Sequence, residues 1–400
     1  MSPTRTNRLA WALAVAFAAD RLAKAAAVGH FFRRVPPKPP TWPTVTLLQP
    51  VTRGANLPAT LEARGRLAYP APIQYLFVCD AHDAESQAVC RAWQATFPAC
   101  AAQVILVNAA GKQAAPKTRK LVAGLAAATG AVVCCIDDDV APRPDALCVL
   151  VPYLYTPRAG AVFGLACYTR WGNGPTSLMS AFVNAYALLS YIPLTYLTAP
   201  FTVTGHLFAL RRTTLAAIGG FSGMEDQIGD DHEIARRLHR RGLRSVQTPL
   251  IYDVENDFAD WRAYAVQMKR WFVFPRQALL PYLTARQQAI ALLGSLGNLA
   301  PGLLAVLALL TRRRAAVGAL GLSLALFAAI YAAGEARYLQ RRTPLRSWPA
   351  VLAVALLQPA QIIAALLTDN TVEWRGKRIR VLRGGTYEEV IPLSLRQRPQ

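Results

Sequence analysis

The sequence predicts an α/β fold built on a mostly parallel sheet, with apolar segments at both ends that tie it to a membrane. Between Thr44 and about Pro249, short β-branched or apolar runs alternate with helical stretches, the pattern of a parallel sheet covered by helices. Long apolar stretches flank that region on both sides. Acidic residues follow directly on apolar strand-like runs, at the strand ends where open α/β sheets bind ligands.

Taken in order, the first element is the apolar run Leu9 to Ala19, followed at once by Asp20, Arg21 and Lys24 and by no small-residue cleavage site, so it reads as an anchor helix rather than a removable signal. It falls short of the roughly 20 apolar residues that cross a bilayer, so it either spans by snorkelling its charges or lies in the interface. This anchor and its basic flank take residues 1–34, and a stiff linker over 35–43 holds Pro36, Pro37, Pro39, Pro40 and Pro43. Residues 44–284 form the α/β domain, with strands expected at Val45 to Leu48, Tyr75 to Cys79, Val104 to Val107, Val132 to Ile136 and Ala161 to Ala166, and a helix at Thr118 to Ala128. Residues 285–368 hold two or three membrane segments, drawn from Ala289 to Leu310, Ala315 to Ala333 and Trp348 to Leu367. Asn298 and Pro301 leave open whether the first of these crosses or re-enters, and Arg-rich connections on both sides keep the positive-inside rule from deciding. A basic tail takes 369–400.

A chain of 400 residues that is 53% hydrophobic, with 44 Lys plus Arg and a formal net charge of +21, suits one cytosolic domain with a few membrane spans. The basic residues are dispersed and adjoin apolar runs, which fits anionic lipid head groups and a phosphate-bearing substrate and argues against nucleic acid. The seven cysteines, odd in number and without zinc-type spacing, indicate neither a disulfide framework nor a metal cluster.

Four constellations carry chemistry. Asp137, Asp138 and Asp139 end the strand Ala131 to Ile136, and a carboxylate cluster there is costly without a cation. Asp137 and Asp139 therefore read as a DxD site for magnesium or manganese, which would bridge to a nucleotide diphosphate, although a solvated loop cap gives the same letters. Asp80 and Asp83 follow the run Phe77 to Cys79. Asp83 is the better candidate to accept hydrogen bonds from a uracil or ribose, with a plain turn Asp as the bland alternative. Asp230 and Asp231 open a helix; a lone Asp there is ordinarily a cap, but Asp231 would suit a general base that takes the proton of an attacking hydroxyl, with His232 as an alternative base or, as favoured, a surface residue. Gln267 to Trp271 lie on a helix after Trp261, where Arg270 would pair with a departing diphosphate and Trp271 pack on acceptor or sugar; an amphipathic helix on the membrane surface is compatible with both.

Together and in this order, Asp83, Asp137 to Asp139, Asp231 and Gln267 to Trp271 resemble the D, DxD, D, QxxRW pattern of membrane-bound inverting glycosyltransferases with a GT-A fold. Leu47 to Pro50, Ala115 to Lys117, Thr202 to Gly205, Ile218 to Phe221 and the tail from Trp374, Arg375 and Gly376 through Arg383 to Glu389 narrow the resemblance to the ceramide glucosyltransferase family, from about Thr44 to the tail. The resemblance implies that Asp83 contacts the uridine of a UDP-sugar, that Asp137 and Asp139 serve metal and donor, and that Lys117 sits near the donor. It also implies that Asp231 is the base and that Gln267, Arg270 and Trp271 complete the site. This chain departs from the family at Gln49, Ala115 and Asp230, where Lys, Asn and Glu are common.

The expected activity is transfer of a hexose with inversion from a UDP-hexose to a membrane lipid, ceramide favoured, by a domain on the cytosolic face of an integral membrane protein. Diacylglycerol, a phospholipid or a hopanoid-pathway lipid are alternative acceptors. A processive polysaccharide synthase would need a channel of several helices, and a non-catalytic nucleotide-binding membrane protein would have lost a key carboxylate. A flexible loop over Tyr168 to Thr198, rich in Tyr and Leu, is expected to line the lipid's path to the site.

Overall fold

A computed structural model describes residues 2–52, 57–108, 117–225, 227–374 and 377–390. In chain order the elements are α1 (Pro3–Phe31), β1 (Val45–Pro50), α2 (Leu57–Gly65), β2 (Ile73–Asp80), α3 (Ala84–Thr96), β3 (Ala101–Val107), α4 (Lys117–Ala126), β4 (Val132–Ile136), β5 (Val140–Ala141), α5 (Ala146–Leu150), β6 (Ala159–Tyr168) and α6 (Gly174–Leu194). There follow β7 (Leu207–Arg211), α7 (Arg212–Ala217), α8 (Asp230–Arg240), β8 (Arg244–Val254), α9 (Trp261–Phe274), α10 (Ala285–Leu296), α11 (Ala300–Thr311), α12 (Arg314–Gly334), α13 (Trp348–Leu367), β9 (Thr371–Trp374), β10 (Lys377–Val381) and β11 (Tyr387–Glu389). The expected strands and the helix after Lys117 all form, each within a few residues of its predicted limits.

An eight-stranded sheet runs in the order β3-β2-β1-β4-β7-β6-β8-β5. The β1–β2, β2–β3, β1–β4 and β6–β8 pairs are parallel, and β7 enters antiparallel between β4 and β6. Strands β1, β4 and β6 are buried along their whole length because helices cover both faces, which is why β4 and β6 read as unbroken apolar runs, while β1 also buries Thr46 and Gln49. Alternate residues serve opposite layers: Leu47, Phe77 and Cys134 pack in one core, Leu48, Val78 and Cys135 in the other. All seven cysteines are free thiols.

The segment expected as a flexible loop over Tyr168 to Thr198 is instead mostly helix. Asn173 caps α6 by accepting from the Thr176 amide at 2.9 Å, and Pro175 sits in the first turn. The helix is apolar on nearly every side because protein surrounds it, so it carries little 3.6-residue periodicity for a sequence reading to find.

Among the described residues, four helical stretches are long and apolar enough to cross a membrane: Gly174–Leu194, Ala285–Thr311, Arg314–Leu339 and Leu345–Leu367. Only the first is mostly enclosed by protein, at 67% buried against 22–28% for the others. Helix α1 extends the short apolar run to 29 residues, about 43 Å of helix. Its charges are satisfied within the bundle: Arg21 donates to Asn298 Oδ1 at 2.7 Å, Lys24 to the Gly294 carbonyl at 2.6 Å, and Lys24 pairs with Asp20 at 2.9 Å. These contacts meet the short 3-10 turn Gly297–Leu299 between α10 and α11, where a Cβ on Gly297 would lie 2.3 Å from Asp20 Oδ2. Farther along, Ala10 and Ala14 pack with Leu304 and Ala308, so α10 and α11 run antiparallel to α1 and do not turn back. Helix α13 behaves differently. Trp348 at its start stacks edge-on against Tyr331 near the Arg341–Asp253 ion pair, and at its end Arg276 donates to the Thr368 carbonyl at 2.9 Å and Lys269 pairs with Asp369 at 2.5 Å. Both ends thus return to the α/β domain.

Candidate active site

Strand β4 delivers the acidic triplet to the carboxyl edge of the sheet. The Asp137 amide donates to the His206 carbonyl at 2.8 Å, and its own carbonyl accepts from the buried Arg64 guanidinium at 2.8 Å. Asp138 turns away from the cavity: its carboxylate accepts from the Thr52 amide at 2.6 Å and the Thr52 hydroxyl at 2.9 Å. Asp137 and Asp139 line the cavity, and Asp139 Oδ1 is buried with no hydrogen-bond partner. Burial raises the Asp137 carboxyl to about 6, with Lys117 opposing and Asp139 adding to the rise. Burial likewise lifts Asp139 to about 6, reinforced by Asp138. Two hard oxygen donors, one of them orphaned and both held reluctantly as anions, fit a divalent cation. Among the described residues no group of three or more His, Cys, Asp or Glu converges, so such an ion would take its remaining ligands from substrate and water.

Lys117 is the cationic centre of the site. Its ammonium lies 2.7 Å from Asp137 Oδ1 and 3.3 Å from Asp230 Oδ2, and donates to the Gly205 carbonyl at 2.9 Å. Burial opposes its charge, but Asp137, Asp230 and Asp231 outweigh burial and hold its pKa above the ordinary lysine value. Asp230, read from sequence only as the neighbour of a base, is therefore part of the site. His206 sits in the same cluster, and burial lowers its pKa despite the nearby Asp137. Ala115 and Pro116, which precede Lys117, lie outside the described residues, as do Arg375 and Gly376 in the tail.

Helix α8 presents Asp230 and Asp231 in its first turn, where the helix dipole favours negative charge. Asp231 Oδ1 accepts from the His232 amide at 2.8 Å, and His232 Nδ1 shares a hydrogen bond with the Thr202 hydroxyl at 2.7 Å. A Cβ on Gly205 would lie 3.6 Å from Asp231 Oδ2 and 3.7 Å from Lys117 Nζ, so both side chains border the open face of Gly205. One turn on, Glu233 accepts from Arg237 Nε at 2.9 Å, and Arg237 reaches the Gly220 and Ser222 carbonyls at 3.3 and 3.0 Å. The Ile218–Phe221 motif thus braces the start of α8, with Gly219 and Gly220 at φ 85° and 62°.

Helix α9 supplies the other wall. Arg270 donates to Gln267 Oε1 at 3.1 Å, and Trp271 packs edge-on against Tyr168 at 6.4 Å and tilted on Phe182 at 6.2 Å. With α6 these residues enclose a cavity of about 720 Å³, lined by Lys117, Asp137, Asp139, Asp230, Asp231, Gln267, Arg270 and Trp271 together with Phe182, Tyr186 and Tyr191. Asp83 does not line it. It caps α3, accepting from the Ser86 amide at 3.1 Å and the Ser86 hydroxyl at 2.7 Å, and is buried. The segment expected to line the lipid's path does border the cavity, through Tyr168, Phe182, Tyr186 and Tyr191, though as a helix rather than a loop; the sequence reading missed Trp374. Trp374 stood in a family signature without a role, and the alternation in Lys377–Val381 was the available sign that the tail holds strands.

A family model described as "Glycosyl transferase family 21" matches residues 8–387. The chain belongs to that family. It is a glycosyltransferase with a GT-A-type α/β domain and, among the described residues, helices long and apolar enough to cross a membrane, three of them toward the C-terminus. Among solved structures, a mannosyltransferase from Pyrobaculum calidifontis, in complex with GDP-Man and Mn2+, aligns over 90% of this chain and 99% of that one, at 22% identity and a TM-score of 0.51. That likeness establishes the fold. Weaker likenesses are to GalNAc-T7 with UDP, GalNAc and Mn2+ (12% identity, TM-score 0.41, 64% of this chain and 55% of that one) and to S. aureus TarS 1-349 with UDP-GlcNAc (11% identity, TM-score 0.39, 87% and 99%). A search of curated proteins returned no match. In this family 21 member, the polar floor from β4, α4 and α8 meets an aromatic wall from α6 and α9 in a single cavity.

Proposed function

We propose that this family 21 glycosyltransferase moves a hexose from a UDP-hexose to the hydroxyl of a membrane lipid, most favourably ceramide, with inversion at the sugar carbon. The observation that carries this reading is the two-sided cavity. Lys117, Asp137 and Asp139 form an electrostatic floor suited to a diphosphate, and Phe182, Tyr186 and Trp271 form an apolar wall on helices that adjoin the membrane bundle.

Asp137 and Asp139 would hold a magnesium or manganese ion, which when bound supplies neutralising charge to the diphosphate. Asp231 accepts the proton of the lipid hydroxyl as its oxygen bonds to the anomeric carbon and the bond from that carbon to the UDP oxygen breaks. Lys117 and Arg270 face the negative charge that accumulates on the departing UDP. Gln267 orients Arg270 through its side-chain oxygen. Asp83, at the start of α3, would accept hydrogen bonds from the uridine. The α/β domain faces the cytosol, where nucleotide sugars are available.

Purified protein in detergent, given manganese or magnesium and a panel of UDP-sugars with ceramide, diacylglycerol or no lipid, tests the reading through UDP release and product mass. A metal-dependent hexosyl-ceramide product is expected. Turnover with another lipid alone overturns the acceptor, and a product of many sugar units overturns single transfer.

A further inference from the structure

The basic tail forms an antiparallel sheet in the order β11-β10-β9, with Ile379 opposite Val372 and Val381 opposite Tyr387. Its apolar face, Val372, Ile379 and Val381, packs with Ile228 and with Val273 of α9. The turn after β10 places Gly384 and Gly385 at φ 105° and 91°. The Ile228 amide donates to the Gly385 carbonyl at 3.0 Å, the Gly384 amide donates to the Gln277 carbonyl at 2.9 Å, and Thr386 bridges to Gln227. A Cβ on Gly385 would come within 2.9 Å of both Gln227 Oε1 and Ala278 Cβ. Gln227 and Ile228 line the active-site cavity directly before Gly229, which caps α8 at Asp230 and Asp231. Trp374 of β9 lines the same cavity and packs edge-on against Tyr387 at 5.5 Å.

The position of β9 in the chain says which ligand Trp374 meets. The strand follows the end of α13, where Leu366 and Leu367 are 71% and 81% exposed and the surrounding helices suit lipid. An extended chain covers at most roughly 3.5 Å per residue, so Trp374 lies within about 25 Å of that lipid-facing end. The donor-side groups, Asp137, Asp139 and Lys117, come from β4 and α4 instead.

We propose that the C-terminal sheet completes the acceptor side of the active site: Trp374 forms a wall for the head region of the membrane lipid, and the Gly384–Thr386 turn positions the segment that aims Asp231. An indole face and ring N–H suit the boundary between a lipid's polar head and its chains. The acceptor class is an amphiphile with a free hydroxyl. This inference rests on reading the cavity as a glycosyl-transfer site.

The test uses the full-length protein in mixed micelles with UDP-glucose and ceramide, measuring transfer and also UDP release without lipid. Trp374→Ala should raise the ceramide KM about tenfold while leaving the UDP-glucose KM and lipid-independent release within about twofold of wild type, and Trp374→Phe should recover most of the loss. Gly385→Ala should lower kcat for transfer about tenfold with the UDP-glucose KM kept, because it displaces the segment before Asp231 rather than the donor site. Equal losses in donor and acceptor KM for Trp374→Ala, or none in either, would overturn the proposal while wild-type turnover keeps the transfer reading intact. Wild-type protein that neither transfers nor releases UDP would overturn the transfer reading itself, and this one with it.

Discussion

Lys117→Met is the most informative single change, because it keeps the apolar stem and removes the charge that three backbone and side-chain oxygens share. The ammonium sits 2.7 Å from Asp137, 3.3 Å from Asp230 and 2.9 Å from the Gly205 carbonyl, with 21% of the side chain exposed. Breaking a fully buried pair costs about 3–5 kcal/mol, and partial access of water to this cluster scales that to about 2–3 kcal/mol. For a chain of 400 residues the melting temperature should fall by roughly 2–4 °C at pH 8 without metal. The loss has a definite pH dependence. Asp137 stands at about 6 even with Lys117 opposing the rise, so the variant moves it higher still. A carboxyl raised in the folded state costs nothing below its unfolded pKa of about 4, and the cost is complete once pH exceeds the folded value. The gap between variant and wild type should therefore widen from pH 5 to pH 8, and manganese should narrow it at pH 8 by replacing the missing charge. Melting curves in detergent at pH 5, 6.5 and 8, with and without manganese, measure all of this. A gap that is constant, or larger at pH 5, would refute the assignment of Lys117 as the counter-charge to Asp137.

Asp231→Asn keeps the acceptor for the His232 amide and loses the base, so transfer should fall by about 10²–10⁴ while UDP binding, read by calorimetry, stays near wild type. Asp139→Ala should abolish the manganese dependence of UDP binding. In the wild type, stabilisation by manganese should fade as pH drops below about 6, since protons then compete for Asp137 and Asp139. Unchanged metal dependence in that variant would remove Asp139 from the site. Single cysteines placed at Arg342 and at Glu388 in a cysteine-free background should react with an impermeant maleimide from the same side of a sealed vesicle, and one at Arg313 from the other. Labelling of Arg342 and Glu388 from opposite sides would make α13 a true span.

The parts of the site that sequence revealed are those where local chemistry and position in the fold say the same thing. An unbroken apolar run ending in Asp137 to Asp139 can be little other than a buried strand reaching the carboxyl edge, and it is. Asp231 and the Gln267–Trp271 helix were singled out by the family resemblance, since spacing alone favours a cap at Asp231, and only tertiary packing brings them to one cavity. Asp83 shows the limit: the same residue, at the same place after a strand, serves as the cap of α3, and nothing local separates a cap from a nucleoside contact. Helix α6 was hidden for the opposite reason. Gly172, Asn173 and Gly174 are turn signals, and the apolar residues after them lack the polar face that marks a surface helix. The tail's short strands are half-exposed and basic, and their partner, the Gln227–Ile228 segment, lies far away in sequence, so no local pattern could show that they wall the active site.

The same long-range contacts bear on how the chain sits in a membrane. A chain that leaves the α/β domain at Ala285 and rejoins it through β9 must cross any barrier an even number of times. Helices α10 and α11 run outward along α1, from Lys24 beside Gly294 to Ala10 beside Leu304 and Ala308. Helix α12 returns, with Ala316 and Ala319 packed at the far end and Tyr338, just beyond its last turn, stacked on Phe32 at the near one. We infer that α13 makes no crossing, although its composition alone would allow one. It wedges instead between α6 and the bundle: Val351, Val354 and Ala355 pack with Leu178, Ala181 and Ala185 on one side and with Phe17, Ala300 and Phe327 on the other. Gln361 donates to the Tyr264 hydroxyl at 3.0 Å, tying α13 to the first turn of the helix that carries Gln267, Arg270 and Trp271. On the proposed reading, an apolar helix fastened to α9 in this way would hold the cavity at the depth of the lipid head groups, so that an acceptor hydroxyl would reach Asp231 while its chains stay in the bilayer.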